Sequence, residues 1–202
     1  IKLIPRFYDV SAGKILINGV DVRDMDIYKL RERIGFVSQK ANLFSGTIEE
    51  NIRFGNRNAS MEEVVHAAKV AQAYDFIMEK PGQFQERIVE GAGNVSGGQK
   101  QRLSIARALV RHADIYIYDD SFSALDFRTD AKLRSELRKE MTDEIVLIVA
   151  QRVSTIMDAD QIIVLDEGRI VGKGTHKELL KNCSVYHEIA ASQLSEEELA
   201  YE

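Results

Sequence analysis

Three short apolar runs constrain this chain most: residues 115–119 (IYIYD), 144–150 (EIVLIVA) and 161–166 (QIIVLD), separated by stretches with helical periodicity. Runs of this length, rich in β-branched residues, read as buried strands, and strands alternating with helices imply a parallel sheet. The expected fold class is therefore α/β. Residues 34–38 read as a further buried strand after a helical stretch at 27–33. Residues 14–22 alternate around Asn18-Gly19, a pair suited to a type I′ turn, and add an antiparallel edge.

Helix starts are marked by a second pattern. Thr47 with Glu50, Ser60 with Glu63, and Thr175 with Glu178 each place a hydroxyl three residues before a carboxylate. In that spacing each side chain accepts from an orphan backbone N–H of the other residue. The first two open helices in a mostly helical middle, residues 45–112, which reads as an insertion into one α/β core. The third opens a terminal helix reaching about residue 193, after a turn at 166–169 that folds the last strand back on Ile170 and Val171.

With 45% hydrophobic and 29% charged residues among 202, the chain has core enough for a globular domain. The net charge of −5 comes mostly from Glu196, Glu197, Glu198 and Glu202 in an acidic tail, residues 195–202. No basic footprint for nucleic acid is present. A lone Cys183 gives neither a disulfide nor a metal cluster, so a cytoplasmic setting is the default. No apolar run approaches the roughly 20 residues of a membrane-spanning helix. His66, His112, His176 and His187 lack acidic or cysteine partners at ligand spacing and read as surface or helix-end residues. Met25, Met61, Met78, Met141 and Met157 read as core packing.

Two segments carry candidate chemistry. Ser96-Gly97-Gly98-Gln99 precedes a helix whose apolar face includes Leu103, Ala106 and Val110. Glycines there let the backbone turn while unpaired amides and the helix dipole favour an anion, so a phosphate would fit; an ordinary N-cap is the alternative. The run at 115–119 ends in Asp119 and Asp120 at the carboxyl edge, where open α/β sheets bind ligands. Asp119 suits Mg²⁺ held through water, and Asp120 suits ordering or deprotonating a water. The alternative is that one aspartate caps the next helix and the other is merely exposed. Gln39 stands at another strand end, and the aromatic-rich region Phe44 to Phe54 either faces partner helices or is core.

Taken in order, Gln39, VSGGQKQRLSIARAL at 95–109, IYIYDD at 115–120, SALD at 123–126 and the closing VLDEGRIVGKGTHKELL resemble the nucleotide-binding domain of ABC transporters. The likeness covers essentially the whole chain, and LIPRFYDVSAGKILINGVDV and LFSGTIEENI resemble the exporter branch. It implies a P-loop NTPase-like sheet with an antiparallel β edge and an inserted helical subdomain. It implies ATP and Mg²⁺ as cofactors and ATP hydrolysis coupled to transport across a membrane. By this resemblance Gln39 is the Q-loop glutamine, serving catalysis and metal; Ser96, Gly97, Gly98 and Gln99 are the signature; Asp119 is the Walker B metal aspartate. Asp126 is the D-loop aspartate and Glu90 the X-loop acid, both counted on the nucleotide side. Implied partners are a second nucleotide-binding domain and the coupling helices of a transmembrane domain, near Phe44 to Phe54. The implied place is the cytoplasmic face of the cell membrane, reached through the transmembrane domain only.

Three departures qualify the likeness. No G-x-x-x-x-G-K-[ST] occurs in the 202 residues. The chain, which opens on IKLIPRFY without Met or N-cap, is expected to be cut from something longer, just after that phosphate loop. Alone it is expected to bind ATP poorly and to be inactive. Asp120 stands where active relatives carry a catalytic glutamate; one methylene fewer retracts the carboxylate by about 1.5 Å, and a 1 Å error can cost about 10²-fold. Gln151 stands where relatives have the H-loop histidine and cannot become cationic. The combination resembles the degenerate half of a heterodimeric multidrug-type exporter, whose signature completes the partner's ATP site. Two other readings are a non-catalytic interaction module and an SMC- or repair-type ABC ATPase; the absent coiled-coil insertion and the acidic balance oppose the second.

Overall fold

The computed structural model describes residues 1–195 and 199, without the side chain of Glu90. The X-loop assignment of Glu90 and most of the acidic tail thus lie outside the described residues. The chain forms two compact units, Ile1–Val149 and Ala150–Glu202.

In the first unit β1 (Leu16–Ile17) and β2 (Val20–Asp21) pair antiparallel, Ile17 opposite Val20. Asn18 and Gly19 take φ of 50° and 80°, the left-handed pair a type I′ turn requires. Asp26 caps α1 (Ile27–Glu32) by accepting from the N–H groups of Tyr28 and Lys29. After β3 (Ile34–Val37) a short ladder joins β4 (Gly46–Thr47) to β5 (Arg87–Ile88). Between those strands lie α2 (Ile48–Arg53), α3 (Met61–Val70) and α4 (Tyr74–Met78). The long α5 (Gly97–Leu109), β6 (Ile115–Asp119), α6 (Phe127–Glu140) and β7 (Ile145–Val149) complete the unit. The capping boxes of Thr47 and Ser60 form as the spacing demands, each with its Glu three residues on.

The sheet runs β3-β6-β7, all parallel. Alternation along β6 divides the core: Ile115 and Ile117 face one cluster with Val22, Leu30 and Ile34. Tyr116 and Tyr118 face the other, with Leu103 of α5 and Leu133 of α6. The central strand β6 is therefore buried on both faces, whereas Ile145, Val146 and Val149 of edge strand β7 stay exposed. This places the ends of β3 and β6, with Gln39, Asp119 and Asp120, on one edge of the sheet.

The second unit holds α7 (Val153–Ile156), β8 (Ile162–Asp166), β9 (Arg169–Gly174), α8 (His176–Asn182) and α9 (Ser184–Ala191). The third apolar run forms β8, which pairs antiparallel with β9 through the turn at 166–169, as the sequence predicts. Glu167 and Gly168, at φ 45° and 76°, close this hairpin. The terminal helix expected to reach about residue 193 is instead two helices, broken at Cys183 with φ −130° and ψ 103°. Its capping box of Thr175 with Glu178 forms as expected. His176 is a helix-end residue, the first of α8, and is buried with its Nδ1 2.7 Å from the Tyr186 hydroxyl. Met61, the first residue of α3, is exposed rather than core.

Candidate functional site

The strand β3 ends at Val37, and the chain leaves it through two buried polar clamps. The Ser121 hydroxyl donates to Val37 O at 2.9 Å, and Gln101 Nε2 of α5 donates to Ser38 O at 3.2 Å. These hold Gln39 where its Nε2 donates to Asp120 Oδ2 at 2.8 Å, across 81 residues of sequence. The Asp120 backbone is left-handed at φ 48°, with its N–H donating to Val149 O of β7 and its carbonyl accepting from Ser123 Oγ. Aspartate tolerates this region better than longer side chains do, so the geometry suits the shorter acid. Neither Asp119 nor Asp120 caps the following helix.

Asp119 lies at the end of β6 with its side chain 17% exposed, and Lys2 Nζ approaches its carboxylate at 3.4 Å. The Asp119 carboxylate thus draws a cation, and the carboxylates and amide oxygen of Asp119, Asp120 and Gln39 are oxygen donors of the kind Mg²⁺ selects. Among the described residues no group of three or more His, Cys, Asp or Glu is arranged to hold a metal. One or two carboxylates supplemented by water and phosphate oxygens is the usual Mg²⁺ arrangement, and these residues fit it.

At the signature, Ser96 is the N-cap of α5: its Oγ accepts from Gln99 N while Gln99 Oε1 accepts from Ser96 N. Ser96 and Gly97 are exposed, and a Cβ built on Gly97 would meet nothing within 4 Å. A Cβ on Gly98 would stand 3.3 Å from Ala124 O, so the signature tip packs on the loop leading to Asp126. The segment is thus a regular N-cap, and Ser96 and Gly97 at its tip are exposed.

Asp126 caps α6, accepting from Thr129 N at 2.9 Å, and this bond holds its carboxyl below the ordinary value. A depressed carboxyl stabilises the fold above the unfolded pKa and loses that contribution as pH falls through the folded one. Asp126→Asn keeps the acceptor without the charge. In acid unfolding of the full-length subunit, the variant is expected to depend less on pH below about pH 4, with little change near neutrality.

Gln151 belongs to the second unit, where its side chain is exposed and its carbonyl accepts from Gln193 Nε2 at 2.9 Å. The region Phe44 to Phe54 is core in part. Ile48, Asn51 and Ile52 are buried, whereas the Phe44 and Phe54 rings, 4.6 Å apart, are 48% and 53% exposed. Sequence reasoning overlooked Gln101 and Ser121; the available signal was a polar residue on the buried face of α5, in line with Ser104 and Ala108.

The family model described as ABC transporter matches residues 1–123. This chain belongs to the ABC transporter family. An uncharacterized ABC transporter ATP-binding protein of Mycobacterium bovis is 46% identical over 96% of the chain, which spans 33% of that relative. The ATP-dependent lipid A-core flippase of Syntrophus aciditrophicus is 41% identical over the whole chain, again 34% of that protein. Among solved ABC transporter structures, a bacterial Atm1-family exporter with ATP bound superposes with a TM-score of 0.93 at 40% identity, over 96% of this chain and 34% of its own. The chain therefore spans about a third of the length of the ABC transporter relatives it matches. Among the described residues no helix is long and apolar enough to cross a membrane.

Proposed function

We propose that this chain is ATP-binding machinery of an ABC exporter at the cytoplasmic face of the cell membrane, and that its main catalytic contribution is made to a partner's ATP. The single observation carrying this reading is the open signature tip: Ser96 and Gly97 are exposed at the start of a 13-residue helix. The N–H groups of Gly97 and Gly98 precede the helix's own bonding ladder and point outward, where the dipole favours an anion. A terminal phosphate on a second nucleotide-binding domain is such an anion, and Ser96 Oγ still has its own proton to donate. The relatives named as exporter and flippase support the transport reading.

On this chain's own side, Asp119 with Gln39 would hold Mg²⁺, which supplies charge neutralisation to nucleotide phosphates. Asp120, bonded to Gln39, would orient water from a retracted position, and Gln151 offers a neutral hydrogen bond where a histidine could carry charge. Turnover there is proposed to be slow, which makes the assembly a heterodimer of unequal sites. Asp126 and Glu90 are assigned to the nucleotide side of the subunit contact. The residues 45–112 are read as a helical lobe, and the exposed Phe44 and Phe54 rings as the place where coupling helices dock.

The test is a titration of Mg-ATP against this chain alone, against a partner domain that has its own phosphate loop, and against the mixture. Weak binding alone, with the mixture tighter than the partner, is expected. Tight binding by this chain alone, or a mixture indistinguishable from the partner, contradicts the proposal.

A further inference from the structure

Tyr118 of β6 is fully buried, yet it carries a hydroxyl. Among the described residues that hydroxyl has one hydrogen-bond partner, Met141 Sδ at 3.9 Å, in the residue that follows α6. A thioether is a weak acceptor, and an O–H···O bond is best at about 2.7–2.8 Å. Burial pushes the hydroxyl well above its ordinary value, so it keeps its proton and stays a donor. Tyr116, on the same face of β6, meets an ordinary partner: its hydroxyl oxygen accepts from Ala113 N at 3.1 Å. Tyr118 thus holds a donor with a poor acceptor in the interior, where a good one gains most. Met141 is also within reach of solvent. It is half-buried and lines a cavity of about 210 Å³ whose walls include Val70, His66, Glu140 and Asp143. None of the residues assigned to nucleotide or metal lines that cavity. A partly polar cavity of this size holds water, and hydrogen peroxide, which bonds as water does, enters where water enters.

We infer that Met141 is a reversible oxidation site: a peroxide entering this cavity converts the thioether to the sulfoxide, whose new oxygen accepts from the Tyr118 hydroxyl. The sulfur lone pair forms an S–O bond to one oxygen of hydrogen peroxide as the O–O bond breaks. The other oxygen leaves as water with both protons, so sulfur is oxidised by two electrons and the peroxide is reduced. A thiol-dependent sulfoxide reductase reverses the step. A sulfoxide in a core ordinarily disrupts it, because a polar oxygen is set among apolar side chains. At Met141 a buried donor already faces the sulfur, and an oxygen on that sulfur stands closer to the hydroxyl than the present 3.9 Å. The three rotatable bonds of methionine let the oxygen turn there, and the cavity takes up the added volume. The fold therefore absorbs this oxidation instead of losing stability to it.

The test treats the full-length subunit with hydrogen peroxide, maps sulfoxides by peptide mass spectrometry and follows thermal unfolding. Met141→Leu, treated alike, subtracts oxidation elsewhere, as at the exposed Met61. Met141 is expected to be recovered as the sulfoxide from protein that is still folded, and sulfoxide reductase with dithiothreitol is expected to remove it. The melting-temperature shift on oxidation is expected to agree within about 2 °C between the unmodified sequence and Met141→Leu. In Tyr118→Phe, which removes only the hydroxyl, oxidation is expected to lower the melting temperature by about 4–8 °C more, because the buried oxygen is left without its donor. Equal shifts with and without the Tyr118 hydroxyl overturn the inference. So does a Met141 that is still a thioether once Met61 is fully oxidised, a result that needs no variant.

Discussion

Gly55→Ala is expected to lower the melting temperature of the full-length subunit's nucleotide-binding region by about 6–12 °C. Gly55 follows the end of α2 against the last turn of α5, where a Cβ would stand 1.9 Å from Arg107 O and 3.0 Å from Val110 Cγ1. The nearest atom is backbone in that last turn, so relief requires α2 and α5 to separate rather than a side chain to rotate. Overpacking of this kind costs about 3 kcal/mol, and about 2–4 °C of melting temperature accompanies each kcal/mol at this size. The same shift would displace Phe54, so transport coupling is expected to fail with stability. Calorimetry or thermal circular dichroism checks the first effect. Gly97→Ala is the control, since open space surrounds its Cβ position, and it is expected to leave the melting temperature unchanged or slightly raised.

Gly97→Asp is expected to separate stability from activity. At the first position of α5 an added carboxylate meets no neighbour and interacts favourably with the helix dipole by about 0.3–1 kcal/mol, so the melting temperature holds or rises. In the assembled transporter the same carboxylate would face the terminal phosphate of a nucleotide held by the partner. Repulsion, together with loss of close approach by the backbone amides, is expected to lower ATPase by about 10²–10³-fold, the size seen when one preorganised donor is removed from a charged reacting group. Thermal unfolding and steady-state ATPase on the same preparation check both halves. A parallel fall in stability and activity would mean that the substitution damages the fold instead.

Local chemistry was the legible part of this sequence. The boxes of Thr47, Ser60 and Thr175 and the Asn18-Gly19 turn form residue for residue, because each is decided within four positions by hydrogen bonding or by φ alone. The turn at 166–169 commits residues 162–166 to β9 in the same way, as read. Interruptions were less legible. Cys183 interrupts a helix that periodicity carried through. At the site, strand ends placed Gln39 and Asp120 near each other in principle, but their bond spans 81 residues and depends on Gln101 and Ser121 fixing the exit of β3.

The most direct test compares Ser96→Ala with Asp120→Ala in the transporter assembled with its partner subunit, reading ATPase at saturating Mg-ATP. If the signature acts on the partner's nucleotide while this chain's own site turns over slowly, Ser96→Ala lowers the rate by about 10² or more and Asp120→Ala changes it little. Abolition by Asp120→Ala, with Ser96→Ala near the unmodified rate, contradicts the account.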